Sequence, residues 1–163
     1  MPTASICSIW ALIPGMYNDT ITLFNRETTK DGDIWHPTVL KGVNVNVDKG
    51  AILKLYGPDS ADNAVLNVRT YEKQGNVYIN GVRYLPPKEW ARLSDKTQAI
   101  TFTAGNAFDF FMIGEWSGGA TIYDDNYGDQ GFYGYMLRQY DFVYAVTGAG
   151  FYSVIPHIEV SAK

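Results

Sequence analysis

Two histidines, one cysteine and a run of carboxylates are the side chains of this 163-residue sequence that most readily do chemistry. His36 stands in Trp35-His36-Pro37 and His157 in Pro156-His157-Ile158, far apart and each beside a proline. A nucleophilic triad needs a hydroxyl or thiol within reach of an imidazole that a carboxylate orients, and no nucleophile-elbow pattern accompanies either histidine. Both read as hydrogen-bonded histidines at strand ends. Cys7 lies in an apolar stretch with no base nearby and reads as an inert thiol. As the only cysteine it excludes an intrachain disulfide and a Cys-cluster metal site.

Asp124-Asp125-Asn126-Tyr127-Gly128-Asp129 has the composition of a calcium loop. Counted from Asp124, however, Gly128 falls fifth, Asp129 sixth and Tyr135 twelfth. A calcium loop needs glycine sixth and a carboxylate twelfth, so the run reads as a solvated acidic loop. The glycines of 114–119 (GEWSGG) have no following Lys-Ser/Thr and no helix to aim amides at a phosphate. The expectation is a protein that is not an enzyme, with no catalytic, cofactor-binding or metal-ligating residue and no cofactor.

The elements that position these residues read mostly as strands. Charged residues are 18% of the chain and apolar ones 46%, which excludes disorder of the whole. With 12 Tyr and 8 Phe, the composition favours half-buried sheet faces and interfaces. Seventeen acidic against 13 basic residues leave a net charge of −4, which argues against gripping nucleic acid by charge. Residues 17–24 (YNDTITLF) and 35–47, ending in VNVNV, alternate as strands around a turn at Asp31-Gly32. A short apolar piece at 52–56 precedes a Gly57-Pro58-Asp59 turn, and 64–71 (AVLNVRTY) alternates again. Residues 77–85 (VYINGVRYL) carry Asn80-Gly81 between two β runs, a strong hairpin signal.

Residues 86–94 (PPKEWARLS) hold the clearest helix start, with Trp90 and Leu93 facing inward. Residues 108–115 (FDFFMIGE) are apolar nearly throughout, as a central strand would be. The chain closes with a strand pair, 142–147 and 152–160, around Gly148-Ala149-Gly150. The predicted fold is all-β, mainly an antiparallel barrel or sandwich, with one short helix and long loops. A second short helix is possible over 132–140. The domain plan is an N-terminal arm, 1–15, and a single β-barrel domain, 16–163, with a long loop at about 116–140.

The arm and the loop are the segments most suited to reach a neighbour. The arm holds Ile6, Ile9, Trp10, Leu12 and Ile13, with no basic residue before Arg26 to make it a secretory signal. Such an apolar surface marks an interface, so these five residues are the interface candidates, expected to dock on a neighbouring chain. The loop is rich in Gly, Tyr and Asp. Its glycines and charged tip are expected not to form a core, which makes Tyr123, Asp124, Asp125, Tyr127, Asp129 and Tyr133 candidates for a channel or gate surface.

Several segments then carry a resemblance: MYNDTITLFNR (16–26), IWHPTVLKGVNV (34–45), YLPPKEWARL (84–93), FFMIGE (110–115) and HIEVSAK (157–163). In this order they resemble a family of small structural proteins of tailed phages of Gram-positive hosts, the head-completion or stopper proteins of the head–tail connector. The fifteen-residue extension lies outside that pattern, and the 116–135 stretch is longer than in it. The resemblance implies a structural virion protein in the neck, made in the host cytoplasm. It implies a homo-oligomeric ring, hexamer or dodecamer, that closes the DNA channel and docks the tail. Its implied partners are portal and adaptor proteins on the head side and a tail terminator or tail tube on the other. Packaged DNA passes through the lumen without sequence-specific binding, and no membrane is involved. The alternatives are a tail terminator or minor capsid protein and, from another class, a carbohydrate-binding β domain using its exposed aromatics.

Overall fold

The computed structural model describes residues 17–47 and 64–163. The interface candidates Ile6, Ile9, Trp10, Leu12 and Ile13 and the 52–56 piece lie outside the described residues.

The first element is a long hairpin of β1 (Asp19–Thr29) and β2 (Gly32–Val47). It is tighter than the sequence predicts. Thr29 pairs with Gly32, so Lys30-Asp31 make the turn and most of the polar stretch 26–33 is strand. Cross-strand pairs outweigh local polarity there: Arg26 faces Trp35 and Glu27 faces Ile34. Glycine is required at position 32, where φ is +121°.

The remaining barrel strands are β3 (Ala64–Arg69), β7 (Phe110–Ile113), β9 (Val143–Tyr152) and β10 (His157–Ala162). Hydrogen bonding runs β1-β7-β9-β10-β3-β2, and β2 returns to β1, closing six antiparallel strands into a barrel. Closure depends on two long strands that pair with one barrel neighbour along one part of their length and with the other along the rest. β2 pairs with β1 up to Val43 and with β3 from Asn44 onward. Within the β1 ladder the register slips between Asp19 and Thr20, and Gly42, at φ +68°, is the extra residue of a bulge between Lys41 and Val43 that bends the strand. β9 likewise pairs with β7 over Val143–Ala145 and with β10 beyond. A closed barrel leaves no open edge, which a sandwich would.

A small antiparallel sheet of β4 (Tyr71–Lys73), β5 (Asn76–Ile79) and β6 (Val82–Tyr84) branches from the barrel. Asn80 (φ 51°) and Gly81 (φ 79°) both take positive φ at the tip of the predicted hairpin, as a type I′ turn requires. Helix α1 (Pro87–Ala91) follows, and its Trp90 is buried, donating from Nε1 to the Ala99 carbonyl at 2.9 Å. The predicted turn at Gly148-Ala149-Gly150 falls inside β9, where Gly148 pairs with Ser161 and Gly150 with Glu159. The chain reverses at residues 153–156. Pro156 has no N–H for the ladder, and its carbonyl accepts from Thr70 N at 3.0 Å.

Two apolar cores result. Inside the barrel lie Ile21, Leu23, Leu40, Leu66, Val68, Phe111, Val146, Ile158 and Val160. Outside it, against β1, β2 and β7, lies a second core of Phe24, Trp35, Phe110, Met112, Ile122, Phe132, Met136 and Val143. β7 supplies both: Phe111 points in, Phe110 and Met112 point out. That explains its unbroken apolar sequence. Among the described residues no helix is long and apolar enough to cross a membrane.

Candidate functional site

The segment after β7 carries the gate candidates. Thr22 anchors its start: Thr22 Oγ1 donates to the Gly114 carbonyl at 2.8 Å and accepts from Trp116 N at 2.9 Å. The two-residue strand β8 (Ile122–Tyr123) then pairs with β2, Trp35 opposite Ile122 and Ile34 opposite Tyr123. A kinked 3-10 stretch (Asp124–Gln130) leads into helix α2 (Gly131–Gln139).

This segment is a packed layer, which corrects the expectation that its glycines and charges preclude a core. Phe132 and Met136, one turn apart on α2, are fully buried in the second core. The Phe132 ring meets Phe24 at 5.2 Å, Trp116 at 5.5 Å and Tyr127 at 5.0 Å between centroids. Asp124 ties the layer to the barrel. Its Oδ1 accepts from Trp35 Nε1 and from Phe132 N in the first turn of α2, both at 2.9 Å. Gly131 is required beside it, since a Cβ there would lie 2.8 Å from Asp124 Oδ2. The six gate candidates therefore divide. Asp124, Tyr127 and Tyr133 are partly buried, with Tyr133 packed on Phe108 and Phe110 at 4.9 Å each. Tyr123, Asp125 and Asp129 are exposed.

A buried polar cluster adjoins this layer at Asn25 and Arg26 of β1. Asp109 accepts at Oδ1 from Arg26 N (2.9 Å) and at Oδ2 from Thr103 N (2.8 Å). Burial pushes its carboxyl up to about 7, against these backbone donors, which pull it down. Asn25 beside it donates to the Thr101 carbonyl at 2.7 Å. The Arg26 guanidinium lies between the Trp35 and Phe108 rings, 4.5 and 4.6 Å from their centroids, and pairs with Asp33 at 3.3 Å. Sequence reading passed over Asp109, although a lone acid inside Phe108-Asp109-Phe110-Phe111 signals a carboxylate held among apolar neighbours.

The histidines take separate places. His36 Nε2 donates to Glu27 Oε1 at 2.8 Å on the β1–β2 hairpin. His157 starts β10, donates from Nδ1 to the Ile155 carbonyl at 2.6 Å and stacks on Tyr152 at 4.9 Å. Among the described residues no group of three or more His, Cys, Asp or Glu is arranged to hold a metal ion.

The described surface also exposes large apolar side chains. Phe151, Tyr152 and Val154 crown the β9–β10 turn, with Val154 87% exposed. Leu137, Tyr140 and Phe142 are exposed where α2 meets the start of β9. The two groups are separated by the length of β9, about 30 Å at 3.3 Å per residue. The first group was hidden from sequence reading by the misplaced turn. A family model described as a family of unknown function (DUF6751) matches residues 16–163. The chain belongs to this family. No curated protein matches it, and no solved structure does. Residues 1–15 fall outside the matched range, which takes in every strand of the barrel and both cores.

Proposed function

We propose that this chain is a ring-forming structural subunit of a tailed-phage head–tail connector, of the head-completion or stopper type. The observation that carries the reading is the pair of exposed apolar groups at the two ends of β9, Leu137, Tyr140 and Phe142 against Phe151, Tyr152 and Val154. A ring needs heterologous contacts, in which one face of a subunit meets a different face of the next. Exposed apolar side chains grouped at two separate places on the surface support such faces. The order of the phage-like segments along the chain supports the same reading.

In this reading the ring is a hexamer or dodecamer in the virion neck, with portal and adaptor above and tail terminator or tail tube below. The exposed Tyr123, Asp125 and Asp129 form its channel surface. Carboxylates there let DNA slide, because like charge removes the counterion-release gain. No catalytic step is part of the reading, and a polysaccharide or peptide hydrolase activity lost on His157→Ala would overturn that.

The experiment is native mass spectrometry and electron microscopy of the full chain, alone and with portal and adaptor proteins. Closed rings are expected. A chain that stays monomeric with every partner, and binds glycans instead, would overturn the reading.

A further inference from the structure

We infer that a groove on the barrel surface, beside the point where the described chain begins, is the seat of the chain's own N-terminal segment. The groove has a volume of about 510 Å³. Val43 and Ile79 form its buried floor, and Arg69 and the half-exposed Tyr71 form its wall. Across the rim, Asn80 Nδ2 donates to the Lys41 carbonyl and holds the tip of the small sheet against β2. Gly42 keeps this side open. It is the bulge residue, at φ +68°, and it places no side chain between the groove and Tyr17.

The described chain starts at this spot. The Tyr17 ring lies under the Arg69 guanidinium at 4.6 Å, and its carbonyl oxygen is 3.9 Å from where a Gly42 Cβ would stand. Upstream are 16 residues, and the first 15 carry no charged side chain. Five of these are Ile6, Ile9, Trp10, Leu12 and Ile13. Ile13 is four residues from Tyr17, so it lies within about 14 Å of it; Trp10 lies within about 25 Å. The apolar run is thus tethered within reach of an apolar groove and brings no charged side chain whose burial would oppose docking. The tether decides between this groove and the same groove on another copy. A short link gives a local concentration of about millimolar, above that of a second copy in dilute solution. The inference concerns the free chain and does not rest on the connector reading.

Cys7, the only native cysteine, lies within the run and supplies the test. The full chain is made as Tyr71→Cys and, separately, as Lys41→Cys, one on each side of the groove. A Lys88→Cys chain, in a different cleft beside α1, is the control. Each is treated with a short bismaleimide at low protein concentration, and products are read by mass spectrometry of the peptides. The expected result is a link within one chain from Cys7 to position 71 or 41, in at least tenfold higher yield than to position 88. Equal yields at all three positions would overturn the inference. Links formed only between chains would also overturn it, sending the segment to a neighbour as the ring reading has it. Because the two groove variants alter different strands, misfolding of one leaves the other to decide.

Discussion

Asp109 and Asp124 are both carboxylates that accept two hydrogen bonds, and their surroundings set them apart. Asp109 is buried among β1, β7 and residues 101–103, and burial lifts its carboxyl from an ordinary 3.8 to about 7. In the unfolded chain the group loses its proton near pH 4, while the folded chain holds it until near pH 7. Its contribution is therefore fully present below about pH 4 and declines as pH rises to about 7, by up to about 1.4 kcal/mol per pH unit. Denaturant unfolding of the wild type and of Asp109→Asn across pH 4–8 measures this. The wild type is expected to lose stability relative to the variant up to about pH 7 and then level off. A constant gap across the range would mean that Asp109 is ionised in the fold throughout. Asp124 faces partial solvent and accepts from the Trp35 indole and the Phe132 amide. Asp124→Ala leaves both donors unpaired at a core boundary, at a cost of about 2–4 kcal/mol in unfolding free energy. A loss below about 0.5 kcal/mol would show that water replaces it.

At the scale of elements, the layer 116–140 owes its order to its neighbours. A nine-residue helix is too short to stand alone in water, so α2 depends on burying Phe132 and Met136 against Phe24, Trp35 and Phe110. Phe132→Ala is expected to cost about 3–5 kcal/mol, the same as for any large aromatic in a packed core. For the same reason, deleting residues 119–131 would remove Ile122 and Asp124 from the core and would not isolate a gating function. Tyr123→Ala combined with Asp125→Asn and Asp129→Asn alters only exposed groups. Under the connector reading, heads carrying this variant assemble but release packaged DNA before tail attachment. Normal DNA retention would remove the gate assignment and leave these residues as a contact surface. α1 is shorter still, and Trp90 is its anchor: Trp90→Ala is expected to lower stability by about 3–5 kcal/mol, read as a shift in unfolding midpoint.

For the whole molecule, the barrel makes a rigid body whose exposed apolar groups sit at separate ends. Under the connector reading, separate patches meet in a head-to-tail array, in which a change at either end breaks the same contact. Val154→Asp and Phe142→Asp change residues that are exposed in the single chain, so each is expected to leave the unfolding midpoint within about 0.5 kcal/mol of wild type. Under the connector reading, each is also expected to abolish ring formation. Mixing the two variants should restore a single intact interface and give dimers but no closed rings, as read by sedimentation. Rings formed by either variant alone would place the contact elsewhere on the barrel.

The strands within 17–24, 43–47 and 64–69, the Asn80-Gly81 hairpin, the buried Trp90 and the central place of 110–113 were legible in the sequence, whereas the burial of β1 on both faces at 21–25 and the break at Thr70, which sends Tyr71 to the small sheet, were not. Each legible feature depends on a local period or a local dihedral requirement, and both are written within a few residues. Tertiary structure alone decided the rest. Barrel against sandwich turned on β2 and β9 each passing from one partner to another along its length, with a bulge at Gly42 to bend β2, and partner choice is non-local. The Gly148-Ala149-Gly150 run resembled a turn because glycine permits one, but permission does not oblige, and pairing with β10 carried the strand on to Tyr152. The glycines of 118–134 likewise masked a core, because the partners of Phe132 and Asp124 lie about a hundred residues earlier, on β1 and β2. Asp109 took its raised proton affinity from burial, which exists only once β1, β7 and β9 have closed around it.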